Sequence, residues 1–226
     1  MSRSVRYPLI VGSIVMASVT GLLRSVLAGT AEPNLAIAVR VYNLAQVSAP
    51  TLAQAEKVAT RIFRKVGIET VWLECPPSAS DVQRFAGCQP NLGPMYLNLS
   101  LIPRFDSVGA GFRRTDLGFA SSSKDEGVYA SIFYHRVQQI ARIGPASQPE
   151  IMGHAMAHEI GHLLLGSNSH SSTGIMRAQW RRDDLRQATV ELLRFTQEEM
   201  ERMRADVSAR LKQQETRQAF VPGSPK

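Results

Sequence analysis

Two cysteines, Cys75 and Cys88, are all that this 226-residue chain contains. With twelve residues between them they cannot form the four-thiolate site of a zinc ribbon. The chain has no internal repeat and no glycine-rich phosphate-binding loop. It also lacks a concentrated charge. The formal net charge is +7, but three of the 26 basic residues, Arg3, Arg6 and Arg24, stand in a leader-like N-terminus. Removing them leaves 23 basic against 19 acidic residues, a net +4. That is too weak and too scattered for a nucleic-acid partner. Nor is a lipid anchor expected, because "LAGT" has Thr30 where a lipoprotein box needs its acylated cysteine.

What is present begins with that leader. Two arginines precede an apolar run from Pro8 to Leu23, and Val26-x-Ala28 or Gly29-x-Ala31 offers a cleavage box. Residues 1–28 therefore read as a signal peptide, which implies a periplasmic or extracellular protein. The alternative is an uncleaved membrane anchor, but the run is short for a span and Arg24 closes it. Export favours pairing Cys75 with Cys88, and a loop of that size contributes about 3 kcal/mol.

Apolar residues make up 44% and charged residues 20% of the chain, as in an average globular protein, so the rest fits one domain. "NLAIAVRVYNL" alternates and reads as a strand. "TLAQAEKVATRIFRKVG" places Leu52, Ala55, Val58, Ala59, Ile62, Phe63 and Val66 at helical spacing, with Gly67 past its end. "IETVWLEC" is a second strand, and the run of strand, helix and strand predicts a parallel pair with a crossover. Residues 76–94 form a loop, and "MYLNLSLI" is a third strand. A long polar connection then holds a short edge strand at Leu117–Ser121, and "VYASIFYHRV" is a fourth strand, carrying His135. A helix capped by Ser147 and Glu150 runs to Leu165 and stops at Gly166. Basic, polar "RAQWRRDDLRQ" reads as a solvated loop in which Trp180 packs. A last helix starts at the Thr196–Glu199 capping box, with Met200, Met203, Val207 and Leu211 as its apolar stripe. The predicted fold is α+β, close to α/β, with a small twisted mixed sheet, a central helix and a C-terminal helix. The domain spans 34–213, and 214–226 is a disordered tail.

The central helix carries "HEIGH". His158 and His162 are four apart, so both imidazoles leave one face and can share a metal ion at roughly 2.0–2.1 Å. Glu159 is rotated about 100° from His158, where a carboxylate can take a proton from an activated water. HExxH arises by chance in about one chain per hundred of this length, and its capped helix makes coincidence rarer still. Catalytic zinc usually keeps three protein ligands. His170 is the nearest candidate, if the chain reverses at Gly166. Glu191, Glu198 and Glu199 are the alternatives, since some HExxH enzymes take a glutamate from the next helix. His154 lies about 12 Å along the axis from His162, so it reads as a packed or supporting histidine.

"HEIGHLLLGSNSHSSTGIM" resembles the metzincin zinc peptidases, most closely their matrix-metalloprotease-like branch. That family carries HExxHxxGxxH and then a turn with a methionine beneath the metal. The resemblance implies a zincin-type domain holding one zinc ion on His158, His162 and His170, with Met176 in the methionine turn. It also implies that an edge strand, here Leu117, Gly118, Phe119 and Ala120, binds an extended substrate by main-chain hydrogen bonds. The spacing departs from the family. Glycine follows His162 by four residues instead of three, and histidine by eight instead of six, so the loop to His170 must be rebuilt. Neither the cysteines of archaeal-type metzincins beside the motif nor a cysteine switch is present.

The function expected is an exported zinc endopeptidase, a monomer acting on peptide or protein substrates. Glu159 would serve as general base and return the proton to the leaving amine. The competing readings are a non-catalytic metal-binding module on the same fold, against which the intact Glu159 argues, and a hydrolase whose third ligand is a downstream glutamate.

Overall fold

Strand β1, Ala36–Asn43, sends Ile37, Val39 and Val41 into the core. On its other face Arg40 is buried, donating through Nε to the Gly87 carbonyl at 3.1 Å while its guanidinium lies 4.9 Å from the Tyr96 ring centroid. Helix α1, Ala49–Val66, follows and buries all seven residues its periodicity marks out. Gly67 ends it at φ 86°, a left-handed conformation that glycine adopts without strain. Strand β2, Glu69–Cys75, then pairs parallel to β1. The computed structural model describes residues 34–89, 92–104, 116–123, 127–166 and 168–219. The expected leader, the end of the tail and most of the connection after β3 lie outside them.

The short helix α2, Ala79–Val82, and a 3-10 turn, Ala86–Cys88, occupy the loop after β2. Cys75 and Cys88 are disulfide-bonded, with Cα atoms 5.7 Å apart, so the turn is tied to the end of the strand. Strand β3, Tyr96–Ile102, lies parallel on the far side of β1. Strand β4, Gly118–Ser123, and β5, Gly127–Phe133, pair antiparallel. With β5 parallel to β3, the sheet order is β2-β1-β3-β5-β4. This is the mixed α/β domain expected, with β4 on the edge.

Three expected features are corrected, the last of them in the final helix. "VYASIFYHRV" is not strand throughout, because β5 ends at Phe133 and Tyr134–Ile143 is helix α3. Val137 is fully buried there, and Tyr134, Ile140 and Ala141 pack against the core at helical spacing. Tertiary burial thus outweighs the strand preference of Tyr and Val. His135 accordingly sits in the first turn of α3, not on a strand. Second, "RAQWRRDDLRQ" is not all loop.

Helix α4, Gln148–Leu165, crosses behind the sheet and is buried on every side from Ile151 to Leu164. Its approach to α1 depends on Gly153, where a Cβ would come within 2.6 Å of the Ala55 carbonyl and of Val58 Cβ. Helix α5, Arg182–Thr189, occupies part of the stretch read as loop. Its buried Asp184 accepts from the Arg181 N–H at 2.7 Å, while Leu185 and Ala188 face the core. Helix α6, Gln197–Ala219, is capped as expected, with Thr196 N–H donating to Glu199 Oε2 at 2.7 Å and Glu199 N–H to Thr196 Oγ1 at 3.2 Å. Met203 and Val207 are fully buried, and Met200 and Leu211 pack beside them. The helix continues to Ala219 instead of giving way to a tail at 214.

Candidate metal centre

The centre is built on α4. The Ser147 N–H donates to Glu150 Oε2 at 2.7 Å, and Ser147 Oγ accepts from the Glu150 N–H at 3.5 Å. This cap fixes where the helix begins, and the four-residue spacing puts His158 and His162 on one face. Their rings lie 4.7 Å apart between centroids, and their Nε2 atoms 3.1 Å apart.

Beyond Leu165 the chain must reverse, and Gly166 does so at φ 100° and ψ 157°, a conformation open essentially to glycine alone. Ser169 then holds the loop in place. Its hydroxyl donates to the Gly166 carbonyl at 2.6 Å and accepts from His162 Nδ1–H at 3.0 Å. His170 follows, with Nε2 3.2 Å from that of His162. Nitrogens of His158, His162 and His170 all lie within 4.8 Å of one another. They form the only such cluster of three histidine, cysteine or acidic side chains among the described residues. The lengthened loop therefore brings His170 to the HExxH pair.

The next turn closes under these rings. Ser171 N–H donates to the Met176 carbonyl at 2.9 Å, and Ile175 N–H to the Arg194 carbonyl at 2.9 Å. Gly174 sits at φ 72° where a Cβ would come within 2.4 Å of the Arg194 carbonyl, so no side chain fits. Met176 is fully buried, its Sδ 2.7 Å from where a Cβ on Gly161 would stand. Gly161 thus lets the methionine press against the helix between the two histidines. The Ile175 carbonyl accepts from His158 Nδ1–H at 2.7 Å.

These bonds fix the tautomers. A carbonyl only accepts, so His158 carries its proton on Nδ1 and turns an Nε2 lone pair inward. The Gly166 carbonyl, 3.4 Å from Nδ1, and the already donating Ser169 hydroxyl impose the same form on His162. Two lone pairs 3.1 Å apart cannot bond each other, but one cation could accept both. Nitrogens on one tetrahedral zinc at roughly 2.0–2.1 Å would be about 3.3 Å apart, close to the separations found. Burial, and then the neighbouring histidines, push His158 and His162 down to about 4, so both are neutral at pH 7. Imidazole nitrogens suit a borderline divalent ion such as zinc.

Glu159 is almost fully buried, and burial, with a smaller contribution from Asp116, pushes it up to about 8. Strand β4 passes directly against it. A Cβ on Gly118 would lie 2.9 Å from Glu159 Oε1 and 2.3 Å from the Ser131 carbonyl. Leu117, Gly118, Phe119 and Ala120 are half-buried at this edge, with Phe119 edge-on to Tyr129 at 6.0 Å.

The other candidates lie outside the cluster. His154 Nδ1–H donates to the Glu150 carbonyl at 2.8 Å, and its ring packs edge-on to Trp180. The Glu191 carboxylate is held on α1 by Arg61 at 2.9 Å and Lys65 at 3.2 Å. Glu199 serves the cap of α6, and Glu198 is exposed beside it. Sequence reasoning missed Ser169, whose only local signal is a hydroxyl beside the third histidine.

No family model matches the chain, and no curated protein matches it. Among solved structures, it is similar to a zinc-dependent peptidase from Methanocorpusculum labreanum (strain Z), at 14% identity and a TM-score of 0.47, over 73% of this chain and 99% of that one. It is also similar to archaemetzincin from Methanopyrus kandleri, at 11% identity and a TM-score of 0.47, over 79% and 99%.

Proposed function

We propose that this protein is an exported zinc-dependent endopeptidase of metzincin type, nearest in motif to the matrix-metalloprotease-like branch. The observation that carries the proposal is the convergence of three histidine nitrogens beside a buried glutamate, under the edge of the sheet. His158, His162 and His170 would hold the metal. Bound there, zinc supplies Lewis acidity, which activates water and polarises the scissile carbonyl.

The chain's own groups do the rest. Glu159 takes a proton from the attacking water on a carboxylate oxygen and delivers it to the leaving amine. Its burial keeps bulk water from competing for that proton, and a nearby cation offsets the burial by favouring the carboxylate. Strand β4 has one edge paired to β5 and passes against Glu159. A peptide added along its other edge would lie extended beside the carboxyl. Met176 and the Ile175 carbonyl keep the ligand rings oriented. The leader would carry the chain out of the cytoplasm, where it acts as a monomer.

The test is hydrolysis of an unstructured protein such as casein by the purified mature chain. Cleavage should stop with a chelator, return with zinc, and be about 100-fold or more slower in Glu159→Gln at unchanged zinc content. A fully zinc-loaded parent that cleaves nothing would instead favour the non-catalytic binding module.

A further inference from the structure

We infer that Trp180 is a positioning residue for the first metal histidine, acting through a carbonyl that both share. The inference rests on the zinc reading above. A carbonyl oxygen has two lone pairs. That of Ile175 accepts from His158 Nδ1–H at 2.7 Å and from Trp180 Nε1–H at 3.0 Å. The indole therefore fixes the same peptide that fixes the His158 ring.

The ring itself adds a second restraint. Trp180 stands edge-on to His158, with centroids 6.0 Å apart and planes at 84°, and edge-on to His154 at 6.2 Å and 89°. His154 is in turn anchored to the Glu150 carbonyl, at the start of α4. The indole is thus clamped between one histidine that cannot turn and another that must not. Two independent contacts, one polar and one aromatic, hold His158 in the orientation that points Nε2 at the other two nitrogens.

Any packed indole seeks an acceptor for its N–H; what sets Trp180 apart is that its acceptor is the carbonyl that also holds His158. Trp180→Phe separates the two roles, since it keeps most of the ring and removes the donor. Zinc affinity of the purified protein would be measured by competition with a chromophoric chelator, beside the visible spectrum of the cobalt-substituted form and the melting temperature of the metal-free form. Partners behind metal ligands typically contribute 10- to 100-fold in affinity, and Trp180 acts one bond further out. The expected result is about 10-fold weaker zinc binding in Trp180→Phe, a shifted cobalt spectrum and an unchanged metal-free melting temperature. Zinc affinity within twofold of the parent and an identical cobalt spectrum would overturn the inference, leaving Trp180 as packing. A parent that binds no zinc would overturn the metal reading itself, which is a separate failure. Should Trp180→Ala fail to fold, the Phe variant still decides.

Discussion

The candidate metal centre has two halves of different construction. His158, Glu159 and His162 stand on a regular, fully buried helix, and their directions follow from helix geometry alone. His170 and Met176 stand on an irregular stretch held by individual hydrogen bonds: Ser169 to Gly166, Ser171 to Met176, Ile175 to Arg194. In the helical half the directions of the side chains are set by a repeating local rule, although its packing leaves no room at Gly153 or Gly161. The loop half has no such rule, and each of its bonds matters by itself. The two histidines and the carboxylate of HExxH sit on the first, and the position of the third histidine depends on the second.

Four experiments would break or sharpen this contrast. The largest effect belongs to the helical half. Glu159→Gln should lower the hydrolysis rate by about 100- to 10,000-fold, the usual range for a general acid–base, while zinc content and melting temperature hold. Peptide cleavage at parental rate would remove Glu159 from the mechanism.

Next comes the closing ligand. Folding-coupled zinc affinities of roughly 10–16 kcal/mol shared over four ligands amount to about 3 kcal/mol each. His170→Ala should therefore weaken zinc about 100-fold, whereas Glu191→Ala, which loses only the Arg61 and Lys65 ion pairs, should keep it. The opposite pattern, read by metal analysis after dialysis, would move the third ligand to the glutamate.

Smaller still is Ser169→Ala, expected to weaken zinc about 10-fold as an outer partner. It removes the hydroxyl that links His162 to the Gly166 carbonyl but leaves the helix alone. If calorimetry finds no change, the loop half is more self-sufficient than its hydrogen bonds suggest.

The smallest effect is on stability against pH in the metal-free protein. His158 and His162 are lowered from 6.5 to about 4, so they cost stability only as pH falls below 6.5. Glu159 is raised from 4.5 to about 8, and burial likewise raises Glu56 to about 7. The folded state holds these carboxyl protons to higher pH than the unfolded state, so stability falls as pH rises through that range. The melting temperature should accordingly drop from pH 6.5 to 8, and drop less in Glu159→Gln. An equal fall in both proteins would mean that Glu159 ionises normally despite its burial.

Elements with a local signature were legible before any coordinates. The stripe of α1, the Ser147–Glu150 box of α4 and the Thr196–Glu199 box of α6 are all written within a few residues, and each is found where its pattern puts it. Helix α3 was not legible, because Phe133 supplies no side-chain cap and its first residue, Tyr134, is one that strands also favour. Helix α5 is short, and its one mark is Asp184 three residues after Arg181, a carboxylate in the capping position without the usual hydroxyl partner. Within the centre, the HExxH residues were readable, whereas Ser169 and the indole bond of Trp180 were not. Both contacts join residues whose proximity is created by the reversal at Gly166 and by the turn that follows.

The sequence by itself determined that His158 and His162 share a face with Glu159 between them, since the rise and twist of a helix are set within one turn. Only the tertiary structure decided which third side chain meets them. The five residues from the end of α4 to His170 could lead in many directions, and the direction here is chosen by contacts with α4 and with the segment before α6. The burial of Glu159 was decided in the same way, by β4 arriving from forty residues upstream to lie against it.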